Sequence, residues 1–210
     1  MKKAFIILSI LLTSSSLFAQ TDGKSIIDNF TKTLKSYPSI ETTFDFTLEN
    51  KEAEISDTNS GKLVIKNEKY RLDMLGIQIY SDGKTSYSFM PSTNEVNITN
   101  VGAGEEGSVD PSKMFNMYEE GMKVTLLNTV NKGNLKEYEI QLVPEEQDNF
   151  EKIIVYITSD NRLKKAITYA MDGNVYTISI EKMVTNKTFE DTYFKFDTSK
   201  YPEVDVIDMR

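Results

Sequence analysis

The sequence predicts a mainly β chain of the α+β kind: one strongly curled antiparallel sheet of about ten or eleven strands, wrapped around an N-terminal helix and a mid-chain helical insert. Three observations predict it. Apolar and polar residues alternate with a period of two in segment after segment from Ile40 nearly to the C-terminus. The gaps between these segments are short and polar, too short for the crossover helices that parallel strands require. Two stretches only, one before Ile40 and one between Gly102 and Gly121, carry helical signals instead.

Residues 1–19 read as an export signal. Lys2 and Lys3 form a positive start, Ala4 to Leu12 is an apolar run, and Leu17-Phe18-Ala19 places cleavage near Ala19. The apolar run is too short to span a bilayer, which takes about 20 residues. Residues 20–210 then read as a single exported domain, long enough to bury roughly 70% of its unfolded surface. Ile26, Ile27, Phe30 and Leu34 follow at helical spacing, and Pro38 stops that helix because the residue before a proline avoids helical angles.

From Ile40 the period changes. Thr42, Phe44, Phe46 and Leu48 alternate with Thr43, Asp45, Thr47 and Glu49, a strand with one wet face. Leu63 and Ile65 repeat the pattern, as do Tyr70, Leu72 and Met74, then Tyr87 and Phe89, then Val96 and Ile98. Tyr138, Ile140 and Leu142 continue it, followed by Ile167, Tyr169 and Met171 and by Tyr176, Ile178 and Ile180. Asp82-Gly83, Asn131-Lys132-Gly133-Asn134, Ser159-Asp160-Asn161 and Asp172-Gly173-Asn174 supply the turns.

Gly102, Gly104 and Gly107 break the pattern with a loose acidic loop. Asp110-Pro111 can cap and start a short helix in which Met114, Phe115, Met117 and Tyr118 crowd together before Gly121. Two packed sheets would also hide the apolar strand faces. The curled sheet is favoured because each helical segment can cover part of a concave surface.

Composition removes most chemistry. The 210 residues include no histidine and no cysteine, so histidine-based nucleophile systems, thiolate metal sites and disulfides are excluded. A net charge of −8 argues against nucleic acid as a partner. The acidic pairs Glu105-Glu106, Glu119-Glu120 and Glu145-Glu146 fall in stretches read as loops or helix ends, with nothing to fix their separation, so a two-carboxylate glycosidase is disfavoured. No stretch has the ligand spacing of a calcium loop. Neither a catalytic residue nor a metal ligand nor a cofactor site is expected, and binding is favoured over catalysis.

The binding candidates are apolar. By strand parity the inward set is Phe44, Phe46, Leu63, Ile65, Tyr70, Leu72, Met74, Tyr87 and Phe89, with Met114, Phe115 and Met117 added by the insert. A curled sheet that its side chains do not fill leaves a cavity for lipophilic ligands, and flexible thioethers suit a ligand of variable shape. A fully filled core, belonging to an interaction or scaffold protein, is the competing expectation.

The stretch Ile79-Tyr80-Ser81-Asp82-Gly83-Lys84-Thr85-Ser86-Tyr87-Ser88-Phe89-Met90-Pro91 resembles the LolA family of periplasmic carriers of outer-membrane lipoproteins. The order of elements is similar too: leader, helix, Phe44-x-Phe46, Gly61-Lys-Leu-Val-Ile-Lys66, Tyr70-Arg-Leu-Asp-Met74, Phe194-x-Phe196 and Tyr201-Pro202-x-Val204. The resemblance implies an incomplete, half-closed β-barrel whose helical insert is a lid over a hydrophobic cavity. It also implies a monomeric, non-enzymatic periplasmic chaperone with acylated lipoproteins as cargo, loaded by an inner-membrane ABC transporter of the LolCDE type and unloaded to an outer-membrane acceptor. Free lipid or another apolar small molecule is the alternative cargo. Some members latch barrel to lid through an arginine, a part for which Arg71 is the candidate here.

Overall fold

The computed structural model describes residues 22–101, 121–146 and 148–210. The predicted leader and the lid candidates Met114, Phe115 and Met117 lie outside the described residues. Helix α1 (Gly23–Ser36) begins at Asp22, whose carboxylate accepts the Lys24 N–H at 3.2 Å. It ends at Tyr37, immediately before Pro38, and buries Ile26, Ile27, Phe30 and Leu34.

The strands are β1 (Ile40–Asn50), β2 (Ile55–Lys66), β3 (Lys69–Met74), β4 (Ile77–Ser81), β5 (Thr85–Met90), β6 (Glu95–Asn100), β7 (Met122–Lys132), β8 (Leu135–Pro144), β9 (Phe150–Thr158), β10 (Leu163–Ala170), β11 (Val175–Thr185) and β12 (Asp205–Asp208). They form one sheet in the order β12-β6-β5-β4-β3-β2-β1-β11-β10-β9-β8-β7. The sheet is open: β7 and β12 lie at its two edges. All four turns expected from sequence join adjacent antiparallel strands.

Two differences from expectation stand out. The described residues form twelve strands, and β12 runs parallel to β6, Val206 opposite Val96. All four residues of β12 are exposed, so it has no buried face to betray it as an alternating pattern. It reaches its place through a long connection, which is what a parallel neighbour requires.

Residues directly opposite in a ladder share a face, which lets both faces be traced across the sheet. The inner face is the one α1 packs on. One cluster joins the helix to Ile40 of β1, Ile140 and Leu142 of β8, Val155 and Ile157 of β9, and Leu163 and Ala166 of β10, with Val124 of β7 and Ile180 of β11 packed against it. A flat ribbon of these six strands would be about 24 Å wide, at roughly 4.8 Å per strand, against a helix about 10 Å across. The sheet therefore curls toward the helix, as an incomplete barrel does.

Irregularities decide which residues face inward. In β10 the register shifts between Leu163 and Lys165, so Ala166 faces in opposite Val155, and Ile167 faces out opposite Ile154. Tyr169 shares that outward parity, opposite Lys152, contrary to the alternation read from sequence. The outer surface there is a ladder of side chains: Lys165 sits 4.5 Å over the Tyr156 ring and Lys152 4.7 Å over the Tyr169 ring.

The chain after β11 crosses the outer face as a strap, residues 186–204, before adding β12 beside β6. Its start is pinned where the Asn186 N–H donates to the Ser39 carbonyl (3.0 Å) and the Ser39 hydroxyl donates to that of Lys187 (2.7 Å). Two short 3-10 helices, Asp191–Phe194 and Thr198–Lys200, shape it.

Candidate functional site

The inner face carries two apolar regions. The first is closed by α1. The second is built on β1 to β4 and β11 around buried Phe44, Leu63, Tyr70 and Leu72, with Phe46, Ile65, Met74, Ile79, Ile178 and Ile180 partly buried around them. Ladder partners confirm the shared face: Phe44 lies opposite Ile180, Phe46 opposite Ile178, Leu63 opposite Leu72, Ile65 opposite Tyr70, and Leu72 opposite Ile79. The inward positions of β1 from Ile40 to Phe46, and their partners on β2, are all uncharged.

Close packing fixes the centre of this region. The Phe44 ring lies across Gly61, so a Cβ there would fall 2.5 Å from the ring tip. Next to it, Thr42 is buried but satisfied, its hydroxyl donating to the Lys182 carbonyl at 3.0 Å. Toward the β1–β2 turn the packing loosens: Phe46 and Tyr176 are only half-buried and stack on each other at 6.0 Å. A scaffold of fully buried anchors thus carries a fringe of partly accessible aromatic, aliphatic and thioether groups.

Seven of the expected inward residues share this face: Phe44, Phe46, Leu63, Ile65, Tyr70, Leu72 and Met74. Tyr87 and Phe89 do not. Tyr87 pairs with Tyr80, and Phe89 with Gln78, positions one residue out of phase with inward Ile79. Both belong to a separate cluster on the outer face, where Tyr80, Phe89, Val96, Ile98 and Phe196 are buried together. The inward positions of β5 are Ser86, Ser88 and Met90, the first two opposite Ser81 and Ile79. The residue sequence reasoning passed over is Ile79, together with Ile178 and Ile180. Their alternation was visible, but their phase relative to Leu72 and Phe44 is a pairing property that the bare sequence does not carry.

Arg71 also faces outward, opposite Val64 and Tyr80. Its guanidinium lies 4.6 Å from the centre of the Tyr80 ring and 5.1 Å from that of Tyr193, so it is held between the sheet and the strap. What it latches is the strap, on the face opposite the apolar site.

The strap is fastened at further points on the outer face. Phe196 packs against Phe89 (4.9 Å) and stacks on Tyr201 (5.0 Å). Asp191 receives Lys69 at 2.7 Å and Lys66 at 3.0 Å, which holds its carboxyl well below the ordinary value, at about 2. Glu41 on β1 is gripped by Lys187 (2.6 Å) and Lys62 (3.0 Å), and the Lys187 hydrogen bond is the main cause lowering its pKa. A recess of about 420 Å³ opens beside the β1–β11 bulge, lined by Thr43, Phe44, Asp45, Ser60, Gly61, Lys62, Asp73 and Glu181. Thr43, Asp45, Ser60, Lys62 and Asp73 stand at outward positions, and Phe44 and Gly61 of the apolar region also border it.

An open sheet with a half-accessible apolar region on its inner face defines the class: an incomplete barrel. The chain belongs to the LolA family; the model of that family, outer membrane lipoprotein carrier protein LolA, matches residues 18–175. The match ends at the first residue of β11, so the strap and β12 lie beyond it. Comparison with curated proteins returns no match.

Solved structures are similar in fold at low identity. An uncharacterized conserved protein from Thermus thermophilus has a TM-score of 0.55 at 12% identity, covering 88% of this chain and 98% of that one. A LolA superfamily protein from Nitrosomonas europaea has a TM-score of 0.44 at 15% identity over 83% of this chain and 98% of its own. The MucA/MucB complex structure from Pseudomonas aeruginosa matches at 0.50 and 11% identity, covering 84% of this chain and 61% of the matched one.

Proposed function

We propose that this protein is a periplasmic carrier that holds the acyl chains of lipoproteins on its inner face and moves them toward the outer membrane. The observation that carries the reading is the uncharged apolar region around Phe44, Leu63 and Leu72, whose rim is left half-accessible on a rigid scaffold. Membership of the lipoprotein-carrier family supports it.

The energetics make the need plain. Each buried methylene is worth about 0.8 kcal/mol, so a sixteen-carbon chain left in water forfeits on the order of 12 kcal/mol. A carrier has to offset most of that cost and still let go. Partly buried Phe46, Met74 and Tyr176 offer adaptable contacts of that kind, whereas an enclosed pocket would retain the chains. Holding the chains takes no chemistry. In this reading the protein is a non-catalytic monomer, exported by a leader cut near Ala19, loaded by a LolCDE-type transporter and unloaded to an outer-membrane acceptor.

The test is release of radiolabelled lipoprotein from spheroplasts depleted of their own carrier, with this protein added outside. A soluble one-to-one complex is the expected result. If folded protein releases nothing, yet native mass spectrometry finds bound lipid, free lipid replaces lipoprotein as the cargo. The absence of both release and bound lipid would overturn the carrier reading.

A further inference from the structure

Positive φ is an unfavourable setting for a side chain, and asparagine tolerates it best. Among the described residues six non-glycines adopt it: Asn67, Asn94, Asn161, Asn186, Glu54 and Leu75. Leu75 is the one aliphatic side chain in the set. With Gly76 (φ 74°) it forms the two-residue turn between β3 and β4, closed by Met74 opposite Ile77. Two successive positive φ values make a turn that favours Asn-Gly or Asp-Gly, so leucine stands here against local preference.

Burial within the fold does not repay that choice. Leu75 is 51% exposed and Ile77 37%. What the pair has is continuity with the apolar site. Ile77 lies opposite Met74, and Met74 and Ile79 both pack on the cluster of Phe44, Leu63 and Leu72. An unbroken apolar path leads from solvent at this hairpin tip to the inner face.

We propose that the Leu75–Ile77 tip is the threshold over which alkyl chains pass onto and off the inner face, with Leu75 touching hydrocarbon in transit and not in the resting complex. The inference rests on the carrier reading above and deepens it by naming a route. It has a distinctive signature. A contact made only at the crossing lowers the barrier in both directions, so losing it slows uptake and release alike and leaves the equilibrium untouched.

The experiment uses the full chain, vesicles of phosphatidylethanolamine and phosphatidylglycerol, and a pyrene-labelled sixteen-carbon acyl lipid as probe. Leu75→Asn removes the apolar group while suiting the left-handed backbone, so the fold is kept or slightly stabilised. Leu75→Met keeps an apolar chain at the same backbone strain. The expected result is uptake and release both slowed about five-fold or more in the asparagine variant, with Kd within about two-fold of wild type and near-normal rates in the methionine variant. Unchanged rates in Leu75→Asn would overturn the proposal. So would unchanged uptake with faster release, which would place Leu75 in the resting complex. A wild-type protein that takes up no probe from the vesicles would also overturn the proposal, while the spheroplast release assay above decides the carrier reading separately.

Discussion

The ring of Phe44 on β1 covers the backbone of Gly61 on β2, its tip 2.5 Å from where a Cβ would stand. The contact is a cross-strand lock: glycine is required because the aromatic ring occupies the volume any other residue would need. Phe44 itself is 2% exposed. Gly61→Val therefore forces the ring off its position, and overpacking of this kind costs about 1–3 kcal/mol. Urea denaturation is expected to show the loss; a midpoint unchanged from wild type would mean the ring has free space to move into.

Inner and outer aromatics should part company on mutation. Phe46 is half-buried on the inner face, so Phe46→Glu is expected to keep the fold and abolish acyl-chain binding, since an unpaired charge is costly in an apolar site. Phe89, buried in the outer cluster with Phe196, is expected to behave oppositely: Phe89→Ala costs about 3–5 kcal/mol of stability, while the folded fraction still binds. A fluorescent acyl probe and urea melts on both variants separate the two effects. Loss of binding in folded Phe89→Ala protein would restore that residue to the site.

Arg71 gives the strap a measurable fastening. Removing the guanidinium in Arg71→Gln takes away its stacking between Tyr80 and Tyr193, worth about 0.5–2 kcal/mol. Trypsin should then cut faster at Lys187, Lys195 or Lys200, with acyl-probe affinity unchanged because the opposite face is untouched. Weakened affinity with unaltered cleavage would point to a coupling through the sheet.

Acid should release one of the strap's ties. The carboxyl of Asp191 is held at about 2, below its ordinary 3.8, first by Lys69 and then by Lys66. A depressed carboxylate stabilises the fold above its unfolded pKa and loses that contribution as pH falls through the folded one. Asp191→Asn is thus expected to be less stable than wild type near neutrality and to converge with it as pH drops from about 4 to about 2. Urea midpoints at several pH values check the convergence; a gap that persists at the acid end would mean the ion pairs are not its source.

On the outer face Tyr156 should be among the last phenols to ionise. Partial burial, then the hydrogen bond it donates to Glu139 at 2.9 Å, pushes its pKa up to about 12. Replacing the carboxylate in Glu139→Gln is expected to bring one phenol down in an ultraviolet alkaline titration. An identical titration curve would contradict the assignment.

The sheet was legible in the sequence because alternation is a local signal. Each inward run, from Phe44 to Leu142, repeats within a few residues, and the Gly and Asn turns mark its ends. The helix was legible for the same reason. What failed was phase between strands. Tyr87 and Phe89 are as aromatic and as regularly spaced as Phe44 and Phe46, yet the β4–β5 pairing sends them to the other face, where Phe196 and Tyr201 wait more than a hundred residues later in the chain. Strand β12 was invisible because exposed Asp205 to Asp208 pair through their backbone, and backbone hydrogen bonds leave no mark on residue type. Arg71, the latch candidate, is held between the Tyr80 and Tyr193 rings on the outer face, and a cation so held looks, in sequence, like any surface charge.

The strap has a consequence for how the chain acquires its structure. Asn94 donates to the Glu203 carbonyl 109 residues away, and β12 closes an edge that β6 leaves bare until then. Contacts so distant in sequence form late, because the intervening loop must first lose its freedom. A newly made molecule therefore passes through a stage in which the Tyr80–Phe89–Val96 surface and one whole strand edge are uncovered. That is the stage at which it is most prone to stick to its neighbours, and shortening the wait for the strap would be the most direct way to raise its yield.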